Sequence, residues 1–338
     1  MEQQRDPDPE FSTVDFPNPE EGASALDLSI GKANSEGAKY ILANDPDADR
    51  LGVAQQIKDG SWRILSGNEI GALLGWWILK NFKEKCPEIP LRKVHLLAST
   101  VSSKILNTIA RKEGINFTET LTGFKHMGNK ADSLIKEGEV VLFAYEEAIG
   151  FMCGTEVLDK DGVSAAVVVT ELIRALEREG LLLTDQLDII YREYGYHYSI
   201  NSYYLCYDPA VTERIFNRLR RFSGDESSDC SYPSVLCGGR LKVTAVRDLT
   251  TGYDSSAADK RATLPVSSSS QMVTFWLENG VVITLRTSGT EPKLKYYTEY
   301  CAPPSSTDWD LLQAELRDIV SQAVVELVQP AVHGIVHK

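Results

Sequence analysis

Gly67-Asn-Glu-Ile70-Gly-Ala-Leu73-Leu74-Gly-Trp-Trp77-Ile78-Leu79, followed by Val94-His-Leu-Leu-Ala98, decides how this chain folds. Ile70, Leu73, Leu74, Trp77 and Ile78 recur at helical spacing, and Val94 to Ala98 is an apolar run of strand length. The rhythm repeats downstream. Ser102 to Lys112 reads as a helix stopped by Gly114, Val140 to Ala144 as a strand, and Val163 to Arg178 as a helix ending at Gly180. Thr184 is the expected N-cap of a further helix. Strands alternating with helices predict parallel βαβ units, which gather ligands at the carboxyl ends of their strands.

Toward the N-terminus the pattern thins. Residues 6 to 22 are rich in Pro and acid and read as an extended connector. A helix over Ala23 to Asn34 and strands over Lys39 to Asn44, Leu51 to Ile57 and Trp62 to Leu65 follow. That is too little material for its own core, and the expectation is the tail of a domain begun upstream. Toward the C-terminus, a helix over Pro209 to Phe222 and a Ser/Asp/Gly-rich stretch, Ser223 to Ser234, come first. Grouped strands follow at Leu241 to Arg247, Met272 to Leu277, Val281 to Arg286 and Leu294 to Tyr300, then a helix over Thr307 to Val328; the grouping predicts an α+β domain.

The 338 residues, 43% hydrophobic and 25% charged, have the balance of a globular protein of about two domains. Thirty-five basic against 48 acidic side chains give a net charge of −13, which argues against a broad nucleic-acid surface. The longest apolar run, Ile70 to Leu79, is half of the ~20 residues a membrane span needs, so no membrane partner and a cytoplasmic location are expected. Cys86, Cys153, Cys206, Cys230, Cys237 and Cys301 form no Cys-x-x-Cys pair and read as free thiols.

Chemistry concentrates in a few segments. In Asn44-Asp45-Pro46-Asp47-Ala48-Asp49-Arg50, Pro46 keeps Asp45 out of the helical region, so the loop is extended or turned. Alternate side chains of an extended chain share a side, which would bring three carboxylates to one point. Three such charges need a cation, and oxygen ligands select a hard ion such as Mg²⁺; the bland alternative is a solvated acidic turn. Arg50 and Gln56 stand where a calcium loop needs Gly and Glu.

In Arg286-Thr287-Ser288-Gly289-Thr290-Glu291-Pro292-Lys293, an arginine ends an apolar strand beside hydroxyls and a glycine free to take unusual dihedrals. This describes a phosphate nest or an ordinary polar turn. The loop Leu121-Thr-Gly123-Phe124-Lys125-His126-Met-Gly128 follows a strand-like run and brings a cation between glycines, and the loop Tyr145-Glu146-Glu147-Ala-Ile-Gly150 puts two carboxylates directly beyond a strand. Both fit sugar recognition or plain surface charge. Asp159-Lys160-Asp161-Gly162 precedes a helix and reads as an N-cap and turn.

Together, in order, these motifs resemble the α-D-phosphohexomutases, in the branch of the phosphopentomutases (phosphoglucomutase-2 type) and glucose-1,6-bisphosphate synthases. Ser66-Gly-Asn-Glu69, Thr100-Val-Ser-Ser-Lys104 and Thr250-Thr-Gly-Tyr-Asp254 extend the resemblance over nearly the whole chain. It implies phosphohexomutase-type βαβ domains with mixed sheets and a C-terminal α+β domain, arranged in the family as four domains around a cleft. On that reading residues 1–62 are the C-terminal part of domain 2, 63–200 are the sugar-recognition domain 3, and 201–338 are the phosphate-binding domain 4.

The implied chemistry is transfer of a phosphoryl group from a phosphoserine to a sugar phosphate through a bisphosphate. The resemblance gives Asp45, Asp47 and Asp49 to Mg²⁺ and Arg50 to the metal loop. It gives Lys125 and Glu146 to the sugar, and Arg286, Ser288, Gly289, Thr290 and Lys293 to the non-transferring phosphate. Implied ligands are ribose, deoxyribose or glucose 1-phosphate and glucose 1,6-bisphosphate, with the full-length form a monomer. One departure stands out. The family nucleophile lies in a Ser-His-Asn/Asp-Pro loop, and no histidine here follows a serine. The expectation is a chain whose first domain is missing and which is inactive alone. A second departure is Ala148, where many hexomutases place Ser after the two glutamates, although this branch itself tends to carry Ala.

Overall fold

A computed structural model of the chain describes residues 1–6, 8–14, 23–222, 231–268, 270–289 and 291–337. They form two compact units, Met1–Tyr194 and Gly195–Lys338.

The first unit opens with α1 (Asp27–Glu36) and an antiparallel sheet, β1 (Tyr40–Asn44), β2 (Leu51–Gln56) and β3 (Trp62–Leu65), in that order. Leu26, Ile30 and Ala33 pack on Ile41, Ala43, Ala54 and Trp62, a small cluster joining helix to sheet. Then come α2 (Gly67–Lys85), β4 (Val94–Ser99), α3 (Ile105–Glu113), β5 (Asn116–Thr120), α4 (Phe124–Lys136), β6 (Val140–Glu146), β7 (Gly150–Cys153), α5 (Gly162–Glu179) and α6 (Leu183–Tyr194). Strands β5, β4 and β6 are parallel, as the alternation predicts, and β7 joins antiparallel to give the order β5-β4-β6-β7.

Side chains explain the layers. On one face of this sheet, Phe124, Met127, Ala131 and Leu134 of α4 close over Leu97, Val141, Ala144 and Met152. On the other, Phe143, Tyr145 and Phe151 stack with centroids 6.0 to 6.4 Å apart beneath α2. Helix α2 begins in a capping box: Ser66 Oγ accepts from Glu69 N–H while the Glu69 carboxylate accepts from Ser66 N–H. The cap expected at Thr184 is not one. Thr184 lies inside α6, where its hydroxyl accepts from the buried Gln55 side chain, whose carbonyl in turn accepts from Leu183 N–H. A tertiary contact from β2 thus satisfies the start of α6, and Asp185 serves Leu182 N–H.

The second unit contains β8 (His197–Leu205), α7 (Pro209–Arg220), β9 (Val235–Leu236), β10 (Leu241–Asp248), β11 (Tyr253–Asp254), β12 (Met272–Leu277), β13 (Val281–Thr287), β14 (Lys293–Cys301), α8 (Trp309–Val328), α9 (Pro330–His333) and β15 (Val336–His337). The strands make one antiparallel sheet in the order β11-β10-β12-β13-β14-β8-β15, with β9 beside β10. Asp208 and Asp308 cap α7 and α8. β8 crosses the boundary expected at residue 200, and its full-length pairing with β14 holds all of it in the second unit, so the division falls after Tyr194. Likewise β3 crosses the boundary expected at 62. Among the described residues no helix is long and apolar enough to cross a membrane. The connector before Ala23 and the stretch Ser223 to Ser234 lie largely outside those residues, as does Cys230. The other five cysteines are free, and burial pushes the Cys153 thiol up to about 12, which makes it inert.

Candidate functional site

The acidic loop links β1 to β2 as a tight turn rather than an extended segment. Ala48 N–H donates to the Asp45 carbonyl at 2.9 Å, and Ala48 takes a left-handed backbone (φ 58°). The turn still brings Asp45, Asp47 and Asp49 together, with one oxygen from each within 4.8 Å of the others. The predicted convergence therefore holds, although turn geometry produces it and not strand alternation.

The loop is electrostatically loaded. Burial raises the Asp45 carboxyl above its ordinary range; the hydrogen bond from Arg50 N–H opposes this, and the charges of Asp47 and Asp49 reinforce it. Arg50 lies 3.7 Å from Asp45 and 3.8 Å from Asp49, and Lys160 pairs with Asp49. Three carboxylates against these two cations leave one net negative charge. Asp49 Oδ1 is buried with no hydrogen-bond partner among the described residues. An all-oxygen donor set in which one buried oxygen has an ion-pair neighbour, Arg50, but no hydrogen bond fits a hard divalent cation. Lys160 was hidden in the sequence, where Asp159 to Gly162 reads as a helix start; Asp161 does cap α5, accepting from Val163 and Ser164 N–H. A lysine between two aspartates next to that cap was the available signal.

The loop docks on the carboxyl end of the parallel sheet. Leu51 N–H donates to the Ile149 carbonyl at 3.0 Å, Arg50 bridges to Gly150, and Gly162 N–H donates to the Ala48 carbonyl at 3.0 Å. A Cβ on Gly162 would run into the Arg50 carbonyl oxygen and the Asn44 amide, so this close approach requires glycine. Glu146 ends β6 beside this junction, its Cγ and the Lys160 Cδ both lying against Gly150. Glu147 turns instead toward β4, accepting from Ser99 and Ser102 hydroxyls at 3.0 and 3.2 Å. Lys125 is exposed in the first turn of α4, not in a loop, beside His126, which burial and then the Lys125 charge hold below the usual imidazole range.

In the second unit, Arg286 sits near the end of β13, opposite Lys295 of β14, and its guanidinium makes no hydrogen bond or ion pair among the described residues. A half-buried guanidinium without a carboxylate partner is poised for an anion. The turn beyond it is less of a nest than its sequence promises. Ser288 N–H donates to the Lys293 carbonyl, Lys293 N–H to the Glu291 carbonyl, and Glu291 N–H to Ser288 Oγ, so these donors are spent on the turn itself. Gly289 has no left-handed backbone; open space surrounds its Cα instead. Lys293 is buried, its ammonium 2.7 Å from Glu291 and 4.4 Å from the Tyr203 ring centre. Thr290 lies outside the described residues.

The first unit thus carries a carboxylate triad on an α/β sheet, and the second, taken by itself, a half-buried arginine near the end of an antiparallel strand whose guanidinium has no partner among the described residues. Comparison with known proteins gives the family. Residues 1–58 match the model for phosphoglucomutase/phosphomannomutase α/β/α domain II, and residues 66–194 that for domain III. The chain belongs to this α-D-phosphohexomutase family, in the branch of phosphopentomutase and glucose-1,6-bisphosphate synthase. It is 53% identical over 334 residues to Homo sapiens phosphopentomutase, covering 98% of this chain and 54% of that protein. It is 51% identical over 335 residues to Homo sapiens glucose 1,6-bisphosphate synthase, covering 99% and 53%. The fold resembles the open form of the Paramecium phosphoglucomutase parafusin, with TM-score 0.60 and 18% identity over 91% of this chain and 48% of that one. The chain thus spans about half the length of the curated relatives it matches.

Proposed function

We propose that this chain carries the metal, sugar and phosphate recognition of a sugar-phosphate mutase. The reaction would interconvert the 1-phosphates of ribose, deoxyribose or glucose with the 5- or 6-phosphates through a bisphosphate. The observation that carries this reading is the convergence of Asp45, Asp47 and Asp49, with a buried Asp49 oxygen that accepts no hydrogen bond among the described residues. In this reading residues 1–62 bring the metal loop, 63–200 the sugar contacts, and 201–338 the phosphate site. Mg²⁺ held by the three aspartates would neutralise charge on the transferring phosphoryl group, the chief demand of such chemistry besides positioning.

The chain's own residues have separable tasks. Arg50 and Lys160 balance the triad's excess charge and fix Asp49. Glu146 accepts from sugar hydroxyls and Lys125 supplies a cation to the substrate. Arg286, with Ser288, Gly289 and Thr290, receives the phosphate that stays. Lys293 serves that turn from beneath, since its ammonium is already committed to Glu291 and Tyr203. No serine of this chain precedes a histidine, so the phosphoryl-carrying serine of a Ser-His loop is not among its residues, and the chain alone is inactive in a cytoplasmic setting.

Calorimetry with Mg²⁺ and with glucose 1-phosphate tests the reading. Both should bind, Asp47→Asn should abolish the first, and ribose 1-phosphate should not turn over. Measurable turnover would reject inactivity; absence of both binding events would reject the reading itself. A second reading, glucose-1,6-bisphosphate synthase, is favoured by the 51% identity to that enzyme. Supplying 1,3-bisphosphoglycerate with glucose 1-phosphate to the full-length protein separates it from ribose 1-phosphate mutase activity.

A further inference from the structure

Resting on the sugar-phosphate reading, we infer that Glu147 is the positioning residue of the sugar site. Clamped by Ser99 and Ser102, it holds the strained turn that aims Glu146 and seats the metal loop. The turn between β6 and β7 contains Ile149 at φ 52°. A β-branched residue there is a true outlier and persists only where its surroundings over-determine it.

Three supports do so. Gly67, first residue of α2, lies so close that a Cβ would overlap the Glu147 carbonyl oxygen and stand 2.9 Å from Ile149 N. The metal loop closes the far end through Leu51 N–H to the Ile149 carbonyl. The third support is the side chain of Glu147. Its Oε2 lies 3.0 Å from Ser99 Oγ and 3.2 Å from Ser102 Oγ, the two hydroxyls are 2.7 Å apart, and Ser102 Oγ accepts from Glu147 N–H at 3.0 Å.

Two hydroxyl protons serve three oxygen–oxygen contacts, so the cluster is a shared network and not three separate bonds. Ser99 and Ser102 are 0% and 2% exposed, so removing either hydroxyl leaves a gap on the buried side of the half-buried Glu147 carboxylate. The two adjacent glutamates therefore divide the labour. Glu147 is consumed by the scaffold, and the sugar-facing task falls to Glu146. Because the same turn carries Ile149 and Gly150 onto Leu51 and Arg50, the clamp also couples that carboxylate to the metal loop.

Hydrogen exchange and calorimetry on the full chain test this. Glu147→Gln and Ser102→Ala should each speed exchange of the Leu51 amide and weaken glucose 1-phosphate binding about tenfold, the usual cost of losing an outer support. Inorganic phosphate binding and exchange in β10 and β12 should stay as in the parent, which separates local release from misfolding. Ser102→Thr, which keeps the hydroxyl, should retain both properties. A parent chain that binds glucose 1-phosphate no better than inorganic phosphate overturns the sugar-phosphate reading and this inference with it. Parent discrimination that survives intact in Glu147→Gln and Ser102→Ala, with unchanged Leu51 exchange, overturns this inference alone.

Discussion

At the scale of single residues, the metal loop depends on what its neighbours lack. Gly162 has no Cβ, and the Arg50 carbonyl occupies the space one would need. Gly162→Ala should push the loop off α5 and lower Mg²⁺ affinity by about 10- to 100-fold, as loss of second-layer support does elsewhere; calorimetry reads this directly. Asp45 tests the charge balance from the other side. Its carboxyl is raised by burial and by two like charges, so at neutral pH its ionisation opposes folding. Asp45→Asn keeps an oxygen for Arg50 N–H while removing that charge. Without metal the variant should melt a few degrees higher than the parent, a change of about 1 kcal/mol. At Mg²⁺ one hundred times its dissociation constant the parent should gain about 2.7 kcal/mol and the variant almost none, reversing the order. Equal responses to Mg²⁺ would remove Asp45 from the ligand set.

Among elements, Glu113 at the end of α3 ties three helices, accepting from Lys83 of α2 and from the Tyr194 hydroxyl of α6, each at 2.6 Å. Burial pushes its carboxyl up, but the bonds from Lys83 and Tyr194 outweigh that and leave it below the ordinary range. A lowered carboxylate contributes stability that is present above its unfolded pKa, about 4.3, and lost as pH falls through the folded value. Glu113→Gln should cost about 1 kcal/mol at pH 7, discounted for the partly exposed Lys83, and the gap should close toward pH 3 in urea melts. A gap constant with pH would mean that packing, not charge, makes the tie. Elements such as α2, β12 and α8 were legible because their apolar period or cap is local. β8 was missed: His197 to Leu205 mixes Ser, Asn and Tyr without alternation, and its place comes from pairing along its whole length with β14. The start of α6 was misread because its partner, Gln55, lies on β2. The triad was legible since its ligands sit within one turn. The roles of Lys160, Ser99 and Ser102 were not, because each depends on a partner from a distant segment.

For the whole molecule, the first unit has two sheets and the second has one, each unit with its own buried core, the condition for a domain that folds alone. The three clustered aspartates proposed to hold Mg²⁺, together with Lys160 and Glu146, all belong to residues 1–194, whereas Arg286 and its turn belong to residues 195–338. Recognition should therefore separate with the chain. Residues 1–194 produced alone should bind Mg²⁺ within about threefold of the parent affinity and show no response to inorganic phosphate. Residues 195–338 should show the converse, and there Arg286→Ala should remove most phosphate binding, since a charge-assisted bond contributes about 1.5 to 3 kcal/mol and a second one is lost with the fork. Arg286→Lys should recover only part of it, because an ammonium offers no planar fork. Both ligands can be titrated into each half by calorimetry, with circular dichroism confirming that each half is folded. Phosphate binding by the first half that matches the parent, or by the second half regardless of Arg286, would move the anion site away from β13 and leave the phosphate assignment without its arginine.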